Sequence, residues 1–138
     1  MLQEVCEFID YRGKTPVKTK TGVPLVTAKI IKNGVIMTPQ EFIAEDSYNE
    51  WMRRGIPKKG DVIFTTEAPL GEVAEIRTNE KLAFAQRVII MEPKKKYLNN
   101  HYLLYALQDK KLKNRIAAKA SGTTVIGIKS AELKKIVT

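Results

Sequence analysis

The 138-residue sequence contains a single cysteine, a single histidine and a single tryptophan, and it is short of acidic residues. With Cys6 alone no internal disulfide can form, which excludes a secreted scaffold held by disulfides. One Cys and one His, His101, cannot supply the ligands of a zinc site. No apolar run approaches the roughly 20 residues that cross a bilayer. Glu4, Glu7 and Asp10 interrupt the N-terminus where the apolar core of a secretory signal would lie, so the expected compartment is the cytoplasm. Gly60, Gly71, Gly122 and Gly127 are isolated from one another, so neither a phosphate-cradling loop nor a dinucleotide fingerprint can be assembled from them. A methyltransferase needs a cofactor-binding glycine-rich turn and an aromatic-acidic catalytic motif, and the sequence offers neither. The acid deficit has a positive consequence: 24 Lys+Arg against 15 Asp+Glu give a formal charge of +9. Such a field favours a polyanion, nucleic acid first and an acidic membrane surface second, although lysine-rich surfaces also serve solubility.

What is present reads as one globular unit. The length suits a single core, and 43% hydrophobic with 28% charged residues argues against disorder. Leu2, Val5, Cys6 and Ile9 recur at helical spacing, predicting a short first helix with Cys6 as a small core residue. Residues 10–22 form a polar, basic loop. Residues 24–31 are apolar enough for a strand, and Asn33-Gly34 turns the chain into a second one over 35–37, a hairpin. Ser47 and Glu50 fit a capping box at the start of a short helix ending near Gly55. Strands are expected over 62–66, 72–77 and 82–91, with 67–71 as a break and Pro93 as a stop. From Asn100 the period changes, and Leu103, Leu104, Leu107, Leu112 and Ile116 predict one broken helix or two abutting helices through about Ala120. A strand over 123–128 and a final helical turn from Ser130 through Ile136 complete the chain. The expected fold class is α+β, a mixed and mostly antiparallel sheet of short strands with a C-terminal helical segment; no βαβ alternation supports a Rossmann layout.

Catalytic constellations are sparse. Asp61 followed by Glu92-Pro93-Lys94 meets the acid-then-Glu-x-Lys formula of Mg²⁺-dependent nucleases, but the spacing is loose and Pro93 sits where the strand should carry the lysine. A turn aspartate and a solvated strand end describe these residues better. Glu67, Glu72 and Glu75 read as structural acids, and His101 as a surface histidine. What remains is recognition chemistry. Reading base edges calls for forked donors and amides, and Arg12, Gln86 and Arg87 have those heads. Lys14, Lys18, Lys20 and Lys119 are point charges suited to phosphate. Thr15, Thr65, Thr66, Ser121, Thr123 and Thr124 add hydroxyls in the same segments. Each segment alone reads better as an ordinary loop or strand end; their combination with the +9 charge is what points to nucleic acid.

Several strings then occur in order: Arg12-Gly13-Lys14-Thr15-Pro16, Gly22-Val23-Pro24-Leu25-Val26, Lys32-Asn33-Gly34, the block from Lys59 through Thr65-Thr66-Glu67-Ala68-Pro69-Leu70-Gly71 to Glu72, Ala85-Gln86-Arg87, and Ser121-Gly122-Thr123-Thr124-Val125 on to Leu133. Together they resemble a target-recognition domain of the specificity (S) subunits of type I restriction-modification systems. The resemblance implies a DNA methylase specificity domain-like fold whose loops select double-stranded DNA sequence. It places one half of a split target on each of two such domains, joined by long helices that set the spacing and dock the methyltransferase (M) subunits, with restriction (R) subunits as further partners of the full-length subunit. It assigns no catalytic centre to this chain, and it leaves S-adenosylmethionine, ATP and Mg²⁺ to the partners. On this comparison residues 1–138 are one recognition domain, a fragment or half of a larger subunit with no membrane association. Two alternatives stay open: the recognition end of a fused restriction-methyltransferase enzyme, and a generic basic nucleic-acid-binding module.

Overall fold

Val62-Ile63-Phe64 and Val88-Ile89-Ile90-Met91 are continuous apolar runs, and in the computed structural model, which describes residues 1–11, 15–94, 98–122 and 126–137, both lie in strands buried on two faces. The chain begins with α1 (Leu2–Val5), β1 (Cys6–Asp10), β2 (Lys18–Thr19), β3 (Val23–Val26), a 3-10 turn (Ala28–Ile30), β4 (Ile31–Lys32), β5 (Val35–Ile36) and β6 (Phe42–Ile43). A second 3-10 turn (Glu45–Ser47) leads into α2 (Tyr48–Trp51), then β7 (Val62–Thr65), β8 (Val73–Glu75), β9 (Ala83–Phe84) and β10 (Val88–Pro93). Three helices close it: α3 (Asn100–Gln108), α4 (Lys110–Lys119) and α5 (Ser130–Lys134).

The strands form a four-stranded sheet in the order β1-β10-β7-β8, a second four-stranded sheet in the order β2-β6-β3-β9, and the two-stranded β4-β5. All pairs are antiparallel except β3 with β9. Because side chains alternate along a strand, the first sheet offers two apolar faces. Ile63, Val88 and Ile90 point to a core shared with Val23, Leu25, Val26, Ile43 and Phe84 of the second sheet. Val62, Phe64, Ile89 and Met91 point the other way, onto Leu103 and Leu107 of α3, Leu112 and Ile116 of α4 and Leu133 of α5. The central sheet is thus sandwiched between a smaller sheet and a helical layer, which is why its middle strands read as uninterrupted apolar runs. The expected α+β class with antiparallel sheets and C-terminal helices is the observed one.

Several local expectations hold and others need correction. The helical segment is two helices. Asp109, extended at φ −67° and ψ 136°, ends α3, and its carboxylate accepts the Lys111 N–H at 3.0 Å to start α4. Asn33 and Gly34 take φ of 52° and 83°, the type I′ turn of a two-residue hairpin, but the hairpin is only β4 and β5. The predicted first helix stops at Val5: Cys6 to Asp10 instead pair with Pro93 to Ile89 as an edge strand. Cys6 is nonetheless buried as expected, and burial pushes its thiol up to about 11. The strand expected over 82–91 is two strands in different sheets. The Ser47 side chain caps nothing; α2 is held instead by the Trp51 indole N–H donating to the Phe84 carbonyl at 2.9 Å. Within the expected basic loop, Lys18 and Thr19 form a short strand. The strand expected over 123–128 falls partly outside the described residues. Gly127 makes isolated bridges to Ser121 and to Glu67. Among the described residues no helix is long and apolar enough to cross a membrane.

Candidate nucleic-acid interface

The sheet registers bring distant segments to one end of the molecule. Thr65, the last residue of β7, faces Val88, the first of β10, so Thr66-Glu67 and Gln86-Arg87 emerge side by side. In the second sheet β3 and β9 run parallel and both end there, and antiparallel β6 begins there. The backbone ties this end tightly: the Ala85 N–H donates to the Val26 carbonyl at 3.0 Å, the Leu25 N–H to the Glu41 carbonyl at 2.9 Å, and the Thr66 N–H to the Arg87 carbonyl at 2.9 Å.

The result is a concavity of about 270 Å³ lined by Thr15, Lys18, Lys29, Glu41, Gln86 and Arg87 among others. The Gln86 amide donates to the Thr15 hydroxyl at 3.4 Å, joining the first loop to the β9–β10 crossing. Arg87 Nε lies 3.5 Å from the Glu67 carboxylate, and half of the arginine side chain is exposed. Lys18 and Lys29 both reach Glu41 Oε1, at 3.2 and 3.4 Å. Burial pushes the Glu41 carboxyl up, but the hydrogen bonds and charges of the two lysines outweigh it and hold its pKa below the ordinary value of 4.5. Glu41 is therefore ionised at neutral pH.

The sequence-derived candidates divide as follows. Thr15, Lys18, Gln86 and Arg87 come together in the concavity, and Thr66, whose hydroxyl donates to the Arg87 carbonyl at 3.2 Å, stands beside it. Ser121 is exposed and exchanges two backbone hydrogen bonds with Gly127, which bridges to Glu67, so that segment borders the same end. Lys20 and Lys119 are exposed, the latter at the last position of α4. Thr65 is the correction. It is fully buried and its hydroxyl accepts the Glu72 N–H at 2.9 Å, so it shapes the 66–71 loop from inside and has no surface for a phosphate. Arg12, Lys14, Thr123 and Thr124 lie outside the described residues. Lys29 and Glu41 were not singled out by sequence. Lys29 falls in an expected strand and Glu41 in a segment for which no element was expected, and the fold brings both to the concavity that Gln86 lines.

The acids considered for catalysis are occupied elsewhere. Asp61 accepts the Lys58 N–H at 2.9 Å, and the Lys58 side chain pairs with Glu92. Glu75 takes a hydrogen bond from Asn100 at 2.8 Å, and His101 Nε2 lies 3.0 Å from the same oxygen. Among the described residues no three His, Cys, Asp or Glu side chains gather as a metal site.

Basic, amide and hydroxyl groups are thus collected, with one carboxylate among the described residues, in a concavity at the loop end of a layered α+β domain. The model of the type I restriction modification DNA specificity domain matches residues 1–137, and the chain belongs to that family. No curated protein sequence matches it. Its fold is similar to the HsdS subunit from Thermoanaerobacter tengcongensis, with TM-score 0.67 and 19% identity over 98% of this chain and 35% of that one. It is similar to the S subunit of a type I restriction-modification system from M. genitalium, with TM-score 0.61 and 18% identity over 96% of this chain and 31% of that one. A chain from a structure of complex assembly and conformational transition of the type I R-M system gives TM-score 0.67 and 19% identity over 96% and 31%. The chain therefore spans about a third of the length of each of these structures.

Proposed function

We propose that residues 1–138 act as one target-recognition unit of a larger specificity subunit, binding double-stranded DNA through the end of the molecule that carries Gln86 and Arg87. In this reading Gln86, Arg87 and Arg12 read base edges, while Lys14, Lys18, Lys20, Lys29 and Lys119 with the hydroxyls of Thr15, Thr66, Ser121, Thr123 and Thr124 fix the register on phosphates. The unit reads one half of a split target and directs M and R partner subunits to it. Methylation and cleavage, with S-adenosylmethionine, ATP and Mg²⁺, belong to those partners, in the cytoplasm. The observation that carries the reading is the convergence of four separately predicted residues, Thr15, Lys18, Gln86 and Arg87, on one concavity of a +9 chain.

The reading is tested by equilibrium binding of the domain to duplex DNA across salt concentrations. Each phosphate contacted contributes roughly −0.9 to the slope of log K against log salt, so several lysine contacts predict weak, steeply salt-dependent binding. Binding that stays flat from low to moderate salt contradicts a phosphate-tracking surface.

A further inference from the structure

We propose that Glu41 is a specificity-determining residue, whose carboxylate accepts a hydrogen bond from the exocyclic amine of a cytosine or an adenine in the recognised DNA. This rests on the DNA-reading function proposed above and adds a residue to it. Among the described residues Glu41 is the only carboxylate lining the concavity, where it sits with Lys18, Lys29, Gln86 and Arg87. Its place is fixed by backbone: its carbonyl accepts the Leu25 N–H at 2.9 Å, and it immediately precedes β6. The side chain is a quarter exposed, and its two oxygens differ. Oε1 takes both lysine ammonium groups, at 3.2 and 3.4 Å. Oε2 is shielded from solvent and has no hydrogen-bond partner among the described residues, so the acceptor offered to a base is Oε1, once the lysines leave it.

A carboxylate on a DNA-facing surface repels phosphate, and it is favourable there only if something on the DNA donates to it. In the major groove the donors are the amines of cytosine and adenine, whereas guanine and thymine present carbonyl oxygens at the equivalent places. Lys18 and Lys29 explain how the acid is tolerated before DNA arrives. Their side chains are 45% and 67% exposed, so they can turn from Oε1 to the phosphates when a duplex docks. That movement leaves the carboxylate in need of a donor, which a cytosine or adenine supplies and a guanine or thymine cannot. Glu41 thus discriminates by rejection as much as by attraction, beside the forked heads of Gln86 and Arg87.

The test is selection of binding sites from a randomised duplex pool by the full chain, in wild-type form and as Glu41→Gln and Glu41→Asp, with melting temperatures measured on the same samples. Glu41→Gln keeps the size of the side chain and adds a donor. It should relax or switch one position of the selected motif from an amine-bearing base toward guanine or thymine, changing the preference there on the order of tenfold, and leave the other positions alone. Glu41→Asp withdraws the acceptor by one methylene and should weaken discrimination at that same position only; it decides the matter if the glutamine variant does not fold. An unchanged motif in both folded variants, with affinity lowered equally for all sequences, overturns the assignment and makes Glu41 a clamp for two lysines. A wild-type chain that enriches no motif overturns the DNA-reading function itself, and the assignment with it.

Discussion

Asp61 shows at residue scale how a side chain that fits a catalytic formula is better explained by the turn it holds. It is 4% exposed, and burial raises its pKa above the ordinary 3.8, opposed by the Lys58 N–H that its carboxylate accepts and reinforced by the nearby charge of Glu92. Since the folded pKa lies above the unfolded one, the ionised carboxylate destabilises the fold at neutral pH. That penalty vanishes as the pH falls below 3.8 and both states are protonated. Asp61→Asn keeps an oxygen for the Lys58 N–H and removes the charge. It should raise the melting temperature at neutral pH, with the gain shrinking to nothing in acid; a lower melting temperature at neutral pH contradicts this reading. The candidate site itself was only partly legible in the residues. Gln86 and Arg87 were candidates because base edges call for amide and forked heads, and only their combination with the +9 charge set them apart from an ordinary strand. Thr65 was indistinguishable from Thr66 in sequence, since the backbone amide that takes its hydroxyl, Glu72, lies across a loop whose path depends on the fold. Glu41 and Lys29 carried no local signal, because their meeting is set by sheet register.

At the scale of elements, the β9–β10 crossing and the segment around Gly127 shape the interface. Residues 82–91 look like one strand because every position suits a strand. The break at Ala85–Arg87 exists because β9 completes the smaller sheet and β10 the central one, so the chain must change layers there. That crossing is what lifts Gln86 and Arg87 to the surface. The first helix is cut short at Val5 for a related reason: Leu2, Val5, Cys6 and Ile9 satisfy a helical period, but pairing of Cys6–Asp10 with β10 outweighs local propensity. The runs in β7 and β10 were readable because burial on two faces leaves a direct mark in sequence, and the apolar spacing from Leu103 to Ile116 pointed to a broken or double helix without locating the break at Asp109. Gly127 is packed against the Thr66-Glu67 end of β7. The Ile128 N–H donates to the Thr66 carbonyl at 2.9 Å, and a Cβ on Gly127 would stand 2.8 Å from Glu67 Cβ and 3.1 Å from the Thr66 carbonyl. Gly127→Ala must push Glu67 and its partner Arg87 aside, and overpacking of this kind costs about 1–3 kcal/mol. Chemical denaturation should show that loss; unchanged stability would mean the two segments are not in contact.

Over the whole molecule, the +9 charge and the layered fold have separate consequences. In the proposed reading, charge supplies attraction to any duplex, while the amide, guanidinium and carboxylate heads that the fold gathers at one end select among sequences. The central claim is that the end bearing Gln86 and Arg87 reads sequence, with the lysines around it only holding DNA. The most direct measurement is the ratio of cognate to random-duplex affinity for the complete protein carrying Gln86→Ala, set beside Lys18→Ala and Lys29→Ala, with melting temperatures on the same samples. Gln86→Ala should lose about 1–3 kcal/mol on the cognate site and little on random DNA, whereas the lysine variants should weaken both alike and flatten the salt slope. A Gln86→Ala protein that melts earlier yet keeps the wild-type ratio would contradict the account and leave Gln86 as a tie between Thr15 and the β9–β10 crossing.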